Sequence, residues 1–217
     1  MKRLIILTFL VGGSVFLVAQ QKVLSLQPLL GIDFNYLKVE NSDWSALGLA
    51  NEINALEAKN NIGFSLGVAY GLRINERFSI EPQSIISFQN SQLNYDLENR
   101  ASHTETIQPA TLIFPVHLVF STPQNEKLTP SIRIGGRYTF DISEEETSTR
   151  LDLKSHDFSI DLGAGFTIQL EQFYIQPAFI YSFGLSNLNS ENTEEIYHSA
   201  IKSIHRDNIS FRLTIGL

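Results

Sequence analysis

The chain has 217 residues, with 16 Lys+Arg against 23 Asp+Glu and no cysteine. A net charge of −7 argues against nucleic acid as a partner, and the lack of cysteine excludes disulfides, thiolate metal sites and a lipidated lipoprotein N-terminus. Mean hydropathy is near zero, and beyond the first residues no apolar run reaches the ~20 residues of a spanning helix.

Met1-Lys2-Arg3 precedes an apolar run from Leu4 to Phe9 and on through Val11 to Val18. A positive start, an apolar stretch and the small residue Ala19 before Gln20 predict a secretory leader over 1–19, cut near Ala19. An uncut anchor competes with this reading, but the run is short for a span. Residues 20–217 are then enough for one barrel or one sandwich.

The mature part alternates with period two, which places one set of side chains on each face of a strand. The first strand sets Leu26, Leu30, Ile32, Phe34 and Tyr36 outward and Gln27, Asp33 and Asn35 inward. The second sets Ile62, Phe64, Leu66, Val68 and Tyr70 against Ser65, Gly67, Gly71 and Arg73. The third puts Phe78, Ile80, Ile86 and Phe88 out, with Glu81, Gln83 and Gln89 in. In the fourth both faces are apolar; Leu112, Phe114, Val116, Leu118 and Phe120 are assigned outward, leaving Ile113, Pro115 and His117 inside.

The fifth strand alternates Ile132, Ile134, Tyr138 and Phe140 with Arg133, Gly135 and Arg137. The sixth sets Phe158, Ile160, Leu162 and Phe166 against Asp157, Asp161, Gly163 and Gly165. Phe173, Ile175, Phe179, Tyr181 and Phe183 face out on the seventh, and Ile209, Phe211, Leu213 and Ile215 on the eighth, opposite Arg212. Connection lengths agree with these phases. Asn75-Glu76-Arg77 is an odd count and preserves parity, whereas Glu171-Gln172 is even and switches it.

Short connections follow the second, fourth and sixth strands; long polar ones fill 38–60, 90–106, 143–156 and 187–203. The expected fold is therefore an eight-stranded antiparallel up-and-down transmembrane β-barrel of a Gram-negative outer membrane, its lipid face apolar and its interior polar. A soluble β-sandwich shares the strand count and alternation. The leader and the asymmetry of the loops favour the barrel.

Eight strands make a cylinder just wide enough to be filled by side chains. The inward charges are Asp33, Arg73, Glu81, Arg133, Arg137, Asp157, Asp161 and Arg212, with both signs present. Arg73 and Glu81 are diagonal neighbours across the tight second hairpin, and Arg137 and Asp161 lie at similar heights on adjacent strands. A structural ion-pair network is favoured over a proton or ligand relay, because an unpaired charge in a closed interior is costly.

His117 has no second histidine at ligand spacing on its strand, and Glu144-Glu145-Glu146 lacks the alternating oxygen ligands of a calcium loop, so no metal or cofactor is expected. No nucleophile elbow, His-Glu-x-x-His or phosphate-binding glycine loop occurs, so no catalysis and no small-molecule substrate are expected. Trp44, with Leu47, Leu49, Ile53 and Leu56, suggests a short amphipathic loop helix, either a cap on the barrel mouth or a partner contact.

Four segments carry a family resemblance: LIFPVHLVF at 112–120, IRIGGRYTFDI at 132–142, HDFSIDLGAGF at 156–166 and FYIQPAFIYSFGLSNL at 173–188. With the ending IYHSAIKSIHRDNISFRLTIGL at 196–217, residues 105–217 resemble the PorT-like outer-membrane barrels of Bacteroidetes, and the first half does so in pattern. The resemblance implies an outer-membrane barrel associated with type IX secretion, with lipid and other secretion-machinery proteins as its partners. The chain departs from common outer-membrane usage in ending on Leu217, not an aromatic residue. A stand-alone structural or adhesive barrel, and a small-solute channel, are the competing functions.

Overall fold

The computed structural model describes residues 24–41, 53–59, 62–89, 91–97, 103–107, 110–122, 127–142, 154–189 and 201–216. The proposed leader, Trp44, Glu144-Glu145-Glu146 and Leu217 lie outside these residues.

Eight strands close a barrel: β1 (Leu24–Asn41), β3 (Ile62–Arg73), β4 (Phe78–Phe88), β7 (Ala110–Ser121), β8 (Leu128–Asp141), β9 (His156–Gln169), β10 (Tyr174–Gly184) and β11 (Ile201–Gly216). Their order around the wall is β1-β11-β10-β9-β8-β7-β4-β3, with every neighbouring pair antiparallel. Closure between β1 and β11 leaves no strand edge in the wall, the condition for crossing a bilayer with strands. Three further strands, β2 (Ile53–Lys59), β5 (Ser91–Leu97) and β6 (His103–Ile107), form a separate sheet in the order β2-β5-β6.

The alternation fixes which face each residue takes. On the outer wall Leu30, Ile32, Phe64, Leu66, Val116, Ile132, Ile134, Leu162 and Phe211 stay exposed, while odd-numbered Gln27, Asp33 and Asn35 of β1 are buried. β7, apolar on both faces, follows the same rule: Ile113 and His117 are inside and Phe114, Val116 and Leu118 outside. Aromatic pairs flank the apolar wall. Phe78–Phe120 lies toward the short-turn end, and Phe64–Phe88, Tyr138–Phe158 and Tyr181–Phe183 toward the other, with ring centroids 4.4–5.1 Å apart.

The short turns are built as their spacing requires. Asn75 Oδ1 accepts from the backbone N–H groups of Arg77 and Phe78 at 2.8 and 2.9 Å, an Asx arrangement that closes the β3–β4 hairpin. Leu170 N–H donates to the Phe173 carbonyl at 2.9 Å around Glu171-Gln172.

The long connections hold more order than their polarity suggests. β1 runs up to Asn41 and β11 starts at Ile201, so both strands extend into segments expected to be loops. Residues 53–59 form strand β2, which corrects the expected loop helix at Ile53 and Leu56, while Leu47 and Leu49 lie outside the described residues: Leu56 is in register with Tyr95 of β5 in an antiparallel ladder. The 3.6-residue spacing of a few apolar residues is weak evidence over one or two turns, and here ladder pairing with β5 prevails. Leu37, Leu188, Ile201 and Ile204 are buried at this end, where Leu188 N–H donates to the Ile204 carbonyl at 2.8 Å.

Candidate functional site

Seven of the eight inward charges predicted are 1–5% exposed, at Asp33, Glu81, Arg133, Arg137, Asp157, Asp161 and Arg212. Arg73 is exposed at the end of β3. The interior these residues occupy is crossed by side-chain contacts that skip strands, joining walls that share no ladder.

At mid-height Asp161 is the centre. Its Oδ2 lies 2.8 Å from His117 Nε2 and accepts from Arg137 Nε at 3.2 Å. Arg137 reaches across the lumen from β8 to Asn208 of β11 (Nη1 to Oδ1, 3.1 Å), and Asn208 Nδ2 donates to Asn35 Oδ1 of β1 at 2.9 Å. Arg212 crosses from β11 to Gln83 of β4 (Nη1 to Oε1, 2.7 Å). Asp33 is held by Ser210 Oγ at 2.6 Å and Ser87 Oγ at 3.1 Å.

Glycines make room for these side chains. A Cβ on Gly135 would lie 2.8 Å from His117 Cδ2, and one on Gly165 would lie 2.7 Å from Arg133 Nη1. Gly135 of the GG run and Gly165 of the GAG run therefore place backbone, without side chain, opposite bulky inward groups.

Glu81 takes Arg133 of β8, Nε to Oε2 at 3.4 Å, across the intervening β7. Arg133 is buried and needs a counter-charge, which Glu81 supplies, whereas Arg73 is exposed at the strand end. Arg206 was missed. It is buried on the inner face of β11 because even-numbered residues continue inward above Ile209, a continuation readable from the parity had the strand been extended upstream.

Two cavities bound this packed region. A polar one of about 140 Å³ opens at the short-turn end and is lined by Gln27, Glu81, Tyr174 and Gln176 among others. The other, about 20 Å³, lies among Asn35, Arg137, Asp157, Arg206 and Asn208. Among the described residues no group of three or more metal-ligating side chains forms.

The profile of the outer membrane protein beta-barrel domain matches residues 18–190. The chain belongs to this family. Its barrel is accordingly an outer-membrane barrel, with short turns at the periplasmic end and longer connections outside. Among solved structures it is similar to the outer membrane protein OprG from Pseudomonas aeruginosa, at 11% identity and TM-score 0.48, covering 89% of this chain and 92% of that one. Neisserial surface protein A is similar at 11% identity and TM-score 0.42, covering 88% and 97%. The attachment invasion locus protein Ail of Yersinia pestis is similar at 14% identity and TM-score 0.37, covering 88% and 96%. No curated protein sequence matches the chain.

In this outer-membrane protein the wall turns polar above the outer aromatic pairs. Lys38 and Glu40 continue the outer face of β1, and Lys202 Nζ donates to Glu40 Oε1 at 2.6 Å. Hydrogen bonds from Lys202 and Ser203 hold the Glu40 carboxyl below its ordinary range. Lower on the strand, opposite Tyr36, Asp207 accepts from Tyr181 Oη at 2.6 Å and from the Gly184 N–H at 3.2 Å.

Proposed function

We propose that this is a non-enzymatic, closed outer-membrane barrel that acts through what its two ends touch, as a PorT-like accessory of type IX protein secretion. The observation carrying the closed barrel is the cross-lumen pairing: Arg137 to Asn208, Arg212 to Gln83 and His117 to Asp161 each join strands that are not neighbours. A packed interior leaves surface contacts as the working parts. The assignment to secretion rests on the resemblance of residues 105–217. In this reading lipid covers the apolar wall, other secretion proteins meet the turns or loops, and a leader cut near Ala19 exports the chain.

His117 has Asp161 on one ring nitrogen and the Gln83 amide 3.5 Å from the other, which places its imidazole within the interior network. A second reading, a surface-binding barrel with no part in secretion, is favoured by the β2-β5-β6 sheet built from the outer connections.

Deletion of the gene separates the two. Type IX cargo trapped in the periplasm, and released again by a plasmid copy, supports the secretion role. Normal export removes that role and leaves the surface-binding barrel.

A further inference from the structure

We propose that the cavity at the periplasmic mouth is a carbohydrate subsite that holds one uncharged sugar ring against Tyr174. The proposal requires that mouth to face the periplasm. It does not require a role in secretion, and it departs from the sequence-based expectation that no small molecule is bound.

Tyr174 is the feature that sets this end apart. Among the described barrel residues every other Phe and Tyr falls on the outward parity, whereas Tyr174 falls on the inward one and, with Phe78, lines the cavity. Gly216 allows this: a Cβ there would come within 2.1 Å of the Tyr174 ring, so the ring lies where a side chain of β11 would otherwise stand. From β10 the ring passes over β11, and its hydroxyl accepts from Gln27 Nε2 of β1 at 2.9 Å. A ring fixed at its far end is a preorganised platform.

The remaining lining selects the class of ligand. Ser25, Gln27, Thr167, Gln169 and Gln176 surround the ring with hydroxyls and amides, groups that both donate and accept. The lining carries both signs, Arg73 and Arg77 with Glu76 and Glu81, and Glu81 is already engaged by the buried Arg133. Phe78 and Val119 are the main apolar contributors, too little to hold an acyl chain. A cavity of about 140 Å³ has room for roughly ten water-sized volumes, the scale of a single sugar ring. Sugar C–H faces stack on aromatic rings while sugar hydroxyls exchange hydrogen bonds with amides, and this mouth offers both.

The test uses the full mature barrel in lauryldimethylamine oxide micelles, which carry no sugar headgroup. Saturation-transfer difference NMR is recorded with an N-acetylglucosamine tetrasaccharide and with maltotetraose. The expected result is transfer to sugar ring protons, weakened about tenfold by Tyr174→Ala, largely retained by Tyr174→Phe and unchanged by Tyr181→Phe on the outer wall. Gel mobility of unheated samples reports that each variant is folded. If Tyr174→Ala does not fold, Gln169→Trp at the exposed rim fills the mouth and abolishes the transfer. Co-sedimentation with purified cell-wall sacculi separates two sources of the same chemistry: sedimentation points to the wall glycan, and its absence beside tetrasaccharide binding points to free oligosaccharide. No transfer from a folded barrel to either sugar overturns the proposal, as does transfer that Tyr174→Ala and Gln169→Trp leave intact. Cargo export is read separately, so failure here leaves the secretion reading untouched.

Discussion

The Nε2 of His117 lies 2.8 Å from Oδ2 of Asp161, with the two side chains 0% and 1% exposed. Arg137 shares that oxygen at 3.2 Å, so one carboxylate serves two buried nitrogen groups. Removing the carboxylate takes from the Arg137 guanidinium the anion it touches and leaves the more distant Asp157, and breaking a buried pair in this way costs about 3–5 kcal/mol. Asp161→Ala is therefore expected to lower stability in urea unfolding by that order. The double variant Arg137→Met with Asp161→Leu is expected to recover most of the loss, because a hydrophobic pair of similar volume needs no desolvated charge. Equal losses in the single and double variants would show that the carboxylate acts through something other than charge pairing.

Gly135 and Gly136 give a neighbouring pair with opposite expectations. A Cβ on Gly135 points inward and would lie 2.0 Å from the Val116 carbonyl oxygen and 2.8 Å from His117 Cδ2, whereas one on outward Gly136 meets nothing within 4 Å. Gly135→Ala should destabilise by about 1–3 kcal/mol, the range for overpacking, and Gly136→Ala should stay close to wild type. Thermal unfolding followed by gel mobility of unheated samples compares them directly, and similar losses at both sites would contradict the inward and outward assignment.

That assignment was legible in the sequence wherever alternation and turn length constrained each other. Asn75-Glu76-Arg77 and Glu171-Gln172 fixed the phase of four strands, and even β7, apolar on both faces, takes the parity expected of it. What stayed hidden depends on long-range pairing. The outer sheet needs Leu56 of β2 opposite Tyr95 of β5, and no periodicity within either segment specifies that partner. The Arg133–Glu81 contact was illegible for a related reason: it crosses β7, beyond the reach of neighbouring-strand reasoning.

The lumen should not conduct. Between the two cavities stand the Arg212–Gln83 contact and the buried cluster of Leu29, Ala69, Ile85 and Ile113. Planar-bilayer recordings of the purified barrel are expected to show no unitary current. Arg212→Ala removes the side chain that bridges β11 to β4 and should permit brief openings. A steady wild-type conductance would restore the channel reading.

Above the apolar wall, Glu40 reports on the pair it forms with Lys202. Its folded pKa lies below the ordinary value, so any stabilisation it gives is present at neutral pH and is lost as pH falls through that lowered value. Lys202→Ala should move the Glu40 titration back up, readable by carboxyl-carbon NMR. Both side chains are well exposed, so little change in overall stability is expected from the same substitution. A Glu40 titration that ignores Lys202→Ala would mean that the pair does not persist in solution.

The depth of the barrel in the bilayer can be read from the cost of placing a charge on its outer wall. Phe211 is 53% exposed, faces Ile32 of β1 and Phe179 of β10, and lies mid-wall between the aromatic pairs at the two ends. Tyr36 lies on the same face of β1, opposite Asp207 and one outward position below Lys38. Charge at the midplane of a barrel wall costs about 2–4 kcal/mol, falling to about 0–1 kcal/mol at the interface. Phe211→Arg should therefore destabilise the barrel in lipid vesicles by several times more than Tyr36→Arg. In a water-facing wall the order would have no reason to follow height, because both sites would be solvated alike. Equal, small costs at the two positions would remove the lipid from around this wall, whatever the alternation of the strands suggests.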